Sequence, residues 1–419
     1  MKVAILLHLY QPITQEETVF KQVYSECYLP LLKLIKNKKS VHFTLNVPLS
    51  LFELMDKYGH ADWVSDLKEL HNQDRVELTG CAAYHSLLTK IPTVYAEKQI
   101  VLNEYGLGYY VGAHRGFEGE PTFLLKNVNG FFPPELAVSN NVAKLIDSFG
   151  YNWILADETA LPWEVKMDRS KSDAYNLAGL ETKLVIRDRD FSNILSFKRD
   201  LETQDISNYV RGLKHRESAV VVALDGETFG HHYKDGIYLL ESVLDILSEE
   251  GIDVLSVSDS MDYMTFKDIS GVVESTWGAS DADIACGNIY PYWDIQDNDL
   301  QKLLWNLETL LLNTVRPDYA KGDLSDYTNT PIWKDSALAP IEDKKIVASI
   351  QNTVLLLKFM NSDKYWWSSR QTLPNGKTLY HPGMINSSLD IAMTLARSLD
   401  DTKLGDEIAA KLQDIKALL

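Results

Sequence analysis

Five apolar residues, Val220-Val221-Val222-Ala223-Leu224, run directly into Asp225-Gly226-Glu227-Thr228-Phe229-Gly230-His231-His232. The apolar run reads as a strand buried on both faces, as parallel sheets use. Gly226 permits a sharp turn. In α/β folds the loop leaving the C-terminal end of a strand carries the chemistry. A lone Asp-Gly there would be an ordinary turn. Two carboxylates and two imidazoles together point to a catalytic loop.

Acid–base chemistry at Asp225 needs partners, and other strand ends offer them. His8-Leu9-Tyr10-Gln11-Pro12 follows the apolar run Val3–Leu7, which delivers His8 to the same rim, and Pro12 fixes the outgoing loop. Glu77 lies inside a short strand, Arg75–Thr79, where an unpaired charge is costly to bury; Tyr84 and His85 follow it. Gly130-Phe131-Phe132-Pro133-Pro134-Glu135 presents a single carboxylate on a backbone stiffened by two prolines. Arg187 and Asp188 fall in a charged run that would ordinarily be a solvated set of ion pairs, yet they are placed to hydrogen-bond a polyhydroxylated ligand. Trp277, in Ser275-Thr276-Trp277-Gly278, has loop-like surroundings that would let it stack on a sugar face, although core packing is the commoner fate of an indole. Trp293 and the pair Trp366-Trp367 share that ambiguity.

These segments need a scaffold that brings strand ends together. Val3–Leu7, Val41–Leu45, Arg75–Thr79, Asn129–Phe132, Trp153–Ala156, Leu184–Ile186, Ile194–Phe197, Val220–Leu224 and Val254–Val257 read as strands. Phe20–Ile35, Trp63–Leu70, Tyr95–Leu107, Val142–Phe149 and Gly236–Leu247 read as helices, with another opening at Pro48. Repeated strand–helix alternation implies a parallel sheet covered by helices. A closed or nearly closed barrel is the first choice and a doubly wound open sheet the second. Past Ser258 the alternation stops. Leu300–Leu312, Ile346–Phe359, Leu389–Leu399 and Ile408–Leu419 are amphipathic helices, separated by long polar connections at Arg316–Asp335 and Ser369–Gly383. The division expected is a catalytic barrel over 1–265 and a mainly helical domain over 266–419 that contributes to the substrate cleft.

Composition narrows the partners. The 419 residues carry a formal net charge of -18, which disfavours nucleic acid and anionic membranes and suits a neutral substrate. No stretch approaches the ~20 apolar residues of a membrane span, and Met1–His8 reads as a first strand. Cys27, Cys81 and Cys286 are scattered, with neither a disulfide framework nor metal-ligand spacing. They suit a reducing, cytoplasmic setting, and each reads as a small buried hydrophobe. Oligomeric state is open at this level. No nucleophile elbow, Walker loop, GxGxxG or HExxH is present.

Taken in order, His8-x-x-Gln11-Pro12, the Glu77–His85 segment, Phe132-x-Pro134-Glu135 and Asp225-Gly226-Glu227-x-Phe229-Gly230-His231 resemble glycoside hydrolase family 57, the family of α-amylases, 4-α-glucanotransferases, amylopullulanases and branching enzymes. The resemblance implies an incomplete (β/α)7 barrel followed by a C-terminal α-helical domain, and retaining action on α-glucans or maltooligosaccharides without cofactor or metal. It implies Glu135 as nucleophile and Asp225 as general acid/base. His8, Gln11, Glu77 and His85 would line the donor-sugar subsite, with Arg187, Asp188, His232 and Trp277 as further sugar contacts. Glu227 would brace the turn or a nearby cation. Two departures from the family pattern stand out: Tyr10 replaces a second His before Gln-Pro, and Phe132-Pro133-Pro134-Glu135 replaces Trp-Leu-Pro-Glu.

Two other readings compete. One is a metal-dependent polysaccharide deacetylase or mannosidase-like hydrolase on a related barrel, with Asp225, His231, His232 and His8 as ligand types; it lacks an Asp beside His8 and a His-x3-His pair. The other is a catalytically silent glucan-binding protein, which would have no need of both carboxylates.

Overall fold

The computed structural model describes residues 1–112, 128–168, 173–198, 203–213, 218–315, 331–372, 376, 378–399 and 402–419. Most of the expected 316–335 connection therefore lies outside the described residues. Among the described residues ten strands form the sheet: β1 (Lys2–His8), β2 (Phe43–Asn46), β3 (Val76–Gly80), β4 (Gly130–Phe131), β5 (Trp153–Ala156), β6 (Ala174–Leu177), β7 (Lys183–Ile186), β8 (Val220–Asp225), β9 (Asp253–Leu255) and β10 (Phe266–Ile269). Their order is β10-β6-β7-β5-β4-β3-β2-β1-β8, with β9 paired to the start of β1. Every pairing is parallel except β6 with β7.

Seven of these strands, β1 to β5 with β7 and β8, curl into an incomplete (β/α)7 barrel. Its seam is narrow: a single bridge joins Arg187, just past β7, to Val221 of β8, and Asp188 N–H donates to Val221 O at 2.6 Å. The strands are apolar on both faces, and the faces sort by parity. Val3, Ile5 and Leu7 pack outward among the helices. Ala4 and Leu6 of β1, Val221 and Ala223 of β8, and Trp153 and Leu155 of β5 fill the interior. Mixing small and large side chains lets a narrow barrel fill. Each fully buried Leu or Val adds roughly 1.5–3 kcal/mol. The same parity carries His8 and Asp225 to the top of the interior, where they are register partners.

Beyond the sheet, helices Asp299–Thr314, Lys344–Phe359, Pro382–Ser398 and Thr402–Lys416 pack together as the helical domain. It is tied to the barrel's covering helices. Tyr95 OH donates to Leu312 O and Val315 O at 2.7 Å each, and Lys358 pairs with Glu53 at 2.8 Å.

Four local expectations are corrected. Residues 194–197 end a helix, Arg189–Phe197, and are not a strand. The Asp188 carboxylate accepts from Phe191 N–H at 2.7 Å as the helix cap, and Phe191 and Leu195 turn one face inward. β6 and β10 pair with each other, and β6 with β7 on its other edge, so the alternation continues past Ser258 and the sheet past residue 265. Phe20–Ile35 is helical throughout, yet broken by a π-helical turn at Tyr24–Tyr28. Cys27 and Cys81 are buried as expected, but Cys286 is exposed.

Candidate active site

Glu135 sits on a strained turn. After Pro133 and Pro134 the backbone enters the left-handed region at two successive residues, Glu135 (φ 58°, ψ 19°) and Leu136 (φ 45°). Non-glycine residues in that region store strain of order 1–3 kcal/mol and depend on their surroundings to hold them. The post-barrel segment does the holding. Val138 and Ser275 exchange backbone hydrogen bonds at 3.1 Å, and Trp277 N–H donates to Glu135 O at 3.0 Å. The Trp277 indole Nε1 then donates to Glu135 Oε2 at 2.7 Å.

Asp225 ends β8 and faces the interior across from His8. Arg187, 5% exposed at the barrel seam, supplies the nearby cation. The guanidinium is fixed by Asp157 (Nε to Oδ2, 3.1 Å) and by donating to Asn193 Oδ1 at 2.6 Å. Asp157, wholly buried, also holds Arg189 at 2.5 Å.

Burial drives the site's protonation. It pushes the Glu135 carboxyl up to about 8, helped by the charges of Asp225 and Asp363, while the Trp277 and Ser362 hydrogen bonds pull the other way. Asp225 is raised to about 6 by burial; Arg187 opposes that and Asp363 adds to it. Glu227 is raised to about 8 by burial and then by Asp225. Carboxyls this close cannot all ionise near neutral pH, so the site retains protons there. His8 is lowered to about 4 by burial, and His85 falls well below its ordinary range, first by burial and then by His8. Both imidazoles are neutral at pH 7.

One wall of the site is a stack of four near-parallel rings. Tyr10 lies on His85 (centroids 4.0 Å, 16°), His85 on His8 (4.9 Å, 21°), and His8 on Phe132 (4.6 Å, 11°). Trp277 meets His8 and Phe132 edge-on. His8 Nδ1 lies 2.6 Å from Asn46 Oδ1, an acceptor, so Nδ1 carries the proton and Nε2 is an acceptor. Asn46 in turn donates to Thr79 at 2.9 Å.

The loop after β8 is braced from behind by the π-helical turn, a feature often found at functional sites. Tyr28 OH donates to Glu227 Oε1, which also accepts from Tyr10 N–H at 3.0 Å. The Cys27 thiol donates to Gly226 O at 3.2 Å. Gly230 has φ 114°, and a Cβ there would stand 1.9 Å from Glu26 O, so only glycine fits. Glu26 receives His231 Nδ1 at 2.8 Å and also Lys234.

Of the residues singled out in the sequence, Glu135, Asp225, His8, His85, Arg187 and Trp277 come together here. Gln11 is buried nearby, accepts from Gln15 at 2.6 Å and also hydrogen-bonds Tyr28. Three others are placed apart from the sugar contacts expected of them. Glu77 lies one layer lower in the barrel, where Thr44 Oγ1 (2.7 Å), Ser258 N–H (3.2 Å) and the Ser258 hydroxyl donate to it. Asp188 caps its helix, and His232 is exposed on the outer part of its loop.

The sequence reading missed a contribution from the helical domain. Ser362 and Asp363 reach into the barrel mouth. Ser362 N–H donates to His85 O at 3.1 Å, and its hydroxyl lies 2.9 Å from His85 Nδ1 and 3.4 Å from Glu135 Oε1. Asp363 accepts from Tyr10 OH, and its carboxyl is raised to about 6, first by burial. Among the described residues no group of three or more His, Cys, Asp or Glu could hold a metal ion. Among them, too, no helix is long and apolar enough to cross a membrane.

Known proteins share this architecture. The structure of a 4-α-glucanotransferase from Thermococcus litoralis superimposes with TM-score 0.62 at 15% identity, over 96% of this chain and 59% of that one. A branching enzyme from Pyrococcus horikoshii superimposes with TM-score 0.66 at 14% identity, over 98% and 94%. At these identities the likeness is one of fold. An α-amylase from P. horikoshii is 23% identical over 231 residues, or 54% of this chain, which spans only 33% of that protein's length. The sequence profile described as "Glycosyl hydrolase family 57" matches residues 5–272, the stretch that holds both carboxylates, the ring stack and the barrel seam. The chain therefore belongs to glycosyl hydrolase family 57.

Proposed function

We propose that the protein is a retaining glycosidase or 4-α-glucanotransferase of α-glucans, with maltooligosaccharides as substrates and the reducing cytoplasm as its setting. The observation that carries this reading is the pair Glu135 and Asp225. They are two partly buried carboxyls on separate elements, each on its own rigid support, and close enough for the charge of Asp225 to raise Glu135. A double displacement needs such a pair roughly 5–5.5 Å apart across the scissile bond.

In the first step the Glu135 carboxylate attacks the anomeric carbon while Asp225 gives its proton to the departing glycosidic oxygen. This requires the charge on Glu135 and the proton on Asp225, the less populated of the two singly protonated forms, since Glu135 is raised to about 8 and Asp225 to about 6. Trp277 and Ser362 donate to Glu135 oxygens and so favour its anion. The positive charge that grows on the sugar ring in the transition state favours that anion further. In the second step Asp225, now ionised, takes a proton from an incoming hydroxyl, which attacks the anomeric carbon and releases Glu135. Water as acceptor gives hydrolysis; a sugar hydroxyl gives transfer. The neutral acceptor His8 Nε2 and the rings of Trp277 and Tyr10 suit a polyhydroxylated, uncharged substrate. The cleft would lie between barrel and helical domain, with Ser362 and Asp363 supplied from the latter.

The test is the product profile from maltoheptaose. Shorter sugars alone mean hydrolysis, and longer ones as well mean transfer. Glu135→Gln and Asp225→Asn should each abolish turnover. Binding without any product from the unmodified protein would favour a silent glucan-binding protein instead.

A further inference from the structure

One buried charge takes no part in the two displacement steps. The Lys364 side chain is wholly buried in the helical domain. Its ammonium donates to Glu308 Oε2 at 2.8 Å, to Phe359 O at 2.7 Å and to Asn361 O at 2.9 Å. Those three acceptors use all three of its protons. Phe359 O and Asn361 O belong to the end of helix Lys344–Phe359 and the turn after it, where carbonyls lack helical partners and favour a cation. Tyr365 OH donates to the same Glu308 Oε2 at 2.7 Å, and the Tyr365 ring lies flat on Trp305 (3.8 Å, 9°).

The residues just before this knot are the ones that leave the domain. Ser362 touches His85 and Glu135, and Asp363 receives the Tyr10 hydroxyl. A buried ion pair is seldom needed for stability, since apolar groups of similar volume often serve as well. Its place directly behind two residues that enter the barrel calls for another reason.

We propose that Lys364 is a positioning residue: by gathering Phe359 O, Asn361 O and Glu308 around one ammonium, it fixes the hook that aims Ser362 and Asp363 at the reacting carboxyls. Lys364 has this role only if Glu135 is the nucleophile proposed above. The groups facing Asp363 are Tyr10 from the barrel, Glu135 and Asp225 across the site, and Lys364 beside it in sequence; Lys364 is the cation among them. Loosening the hook withdraws the Ser362 hydrogen bond that holds Glu135 down, so the Glu135 carboxyl rises and the limb of the pH profile that it sets moves to higher pH.

The experiment compares the unmodified protein with the double variant Lys364→Met/Glu308→Leu, which replaces the ion pair by apolar groups. Maltoheptaose turnover is followed against pH, alongside thermal unfolding. A cooperative melt, a kcat at least tenfold lower and an alkaline limb of kcat/KM, the one set by Glu135, moved to higher pH are the expected results. A folded double variant with kcat within twofold of the unmodified protein and an unmoved limb overturns the proposal. If the double variant does not melt cooperatively, the same two readings on Lys364→Gln decide in the same way. Glu135→Gln run in parallel separates the two claims. Turnover surviving in that variant refutes the nucleophile, whereas its loss beside an indifferent Lys364 variant refutes only the positioning role.

Discussion

Glu135 and Trp277, 142 residues apart, are joined twice: indole Nε1 donates to Glu135 Oε2 at 2.7 Å, and the Trp277 backbone N–H donates to Glu135 O at 3.0 Å. One bond steadies a left-handed backbone and the other favours the carboxylate anion. The segment after the barrel thus sets both the aim and the charge of the proposed nucleophile.

Trp277→Phe keeps an aromatic ring and the backbone bond but removes the indole donor. Loss of one preorganised donor to a reacting group should lower kcat about tenfold to hundredfold. The donor holds Glu135 down, so its loss raises that carboxyl further; as the higher of the two carboxyls, about 8 against about 6 for Asp225, Glu135 sets the alkaline limb of kcat/KM, which moves to higher pH. A pH–rate profile on maltoheptaose reads both effects.

Arg187→Met should move the other limb. The guanidinium holds Asp225 down, and without it Asp225, the lower of the two carboxyls, keeps its proton to higher pH, so the acidic limb rises. The same change leaves buried Asp157 with Arg189 alone. Breaking such a pair costs roughly 3–5 kcal/mol, which a urea titration would register.

Glu135 should make the protein less stable as pH rises. Its folded carboxyl is raised from 4.5 to about 8. Below 4.5 the folded and unfolded states are both protonated and nothing is lost. Between 4.5 and 8 the unfolded state ionises first, so stability falls across that window and then levels. At about 1.4 kcal/mol per pH unit, the cost near pH 7 is on the order of 3 kcal/mol. Glu135→Gln should therefore melt at a higher temperature than the unmodified protein at pH 7.5 and at nearly the same temperature at pH 4.5. Equal differences at both pH values would show that its charge is not the cause.

Tyr28→Phe probes the brace under the loop after β8. It leaves Glu227 Oε1 with the Tyr10 N–H alone. Stability should fall by roughly 1–3 kcal/mol for the weakened buried carboxyl. Saturated turnover should fall several-fold, because Glu227 and Asp225 share one turn. Unchanged kcat with lowered stability would confine Tyr28 to a structural role.

How far the sequence foretold this site depended on whether a residue's surroundings were local. Asp225 and His8 were legible because each ends an apolar strand, and strand parity then decides where they point. Glu135 was legible through the prolines before it. Asp363 and Ser362 were not: they lie in a polar turn between helices, and only the docking of the helical domain brings them to Glu135. Asp188 misled in the other direction, since a carboxylate after a strand and a helix cap look alike until the next turn forms. Glu77 was rightly suspected of being enclosed, but its partner Ser258 lies 181 residues away and its depth is set by register. β6 and β10 are short and polar at their edges, and only pairing identifies them as strands.

The most direct measurement is covalent capture of the proposed nucleophile. The protein would be incubated with 5-fluoro-α-glucosyl fluoride, whose glycosyl–enzyme intermediate breaks down slowly, then digested and mapped by mass spectrometry. The expected result is one added sugar per chain, on Glu135, which disappears in Glu135→Gln. An adduct on another residue, or β-configured first products from maltoheptaose with no adduct at all, would contradict the two-carboxylate retaining mechanism.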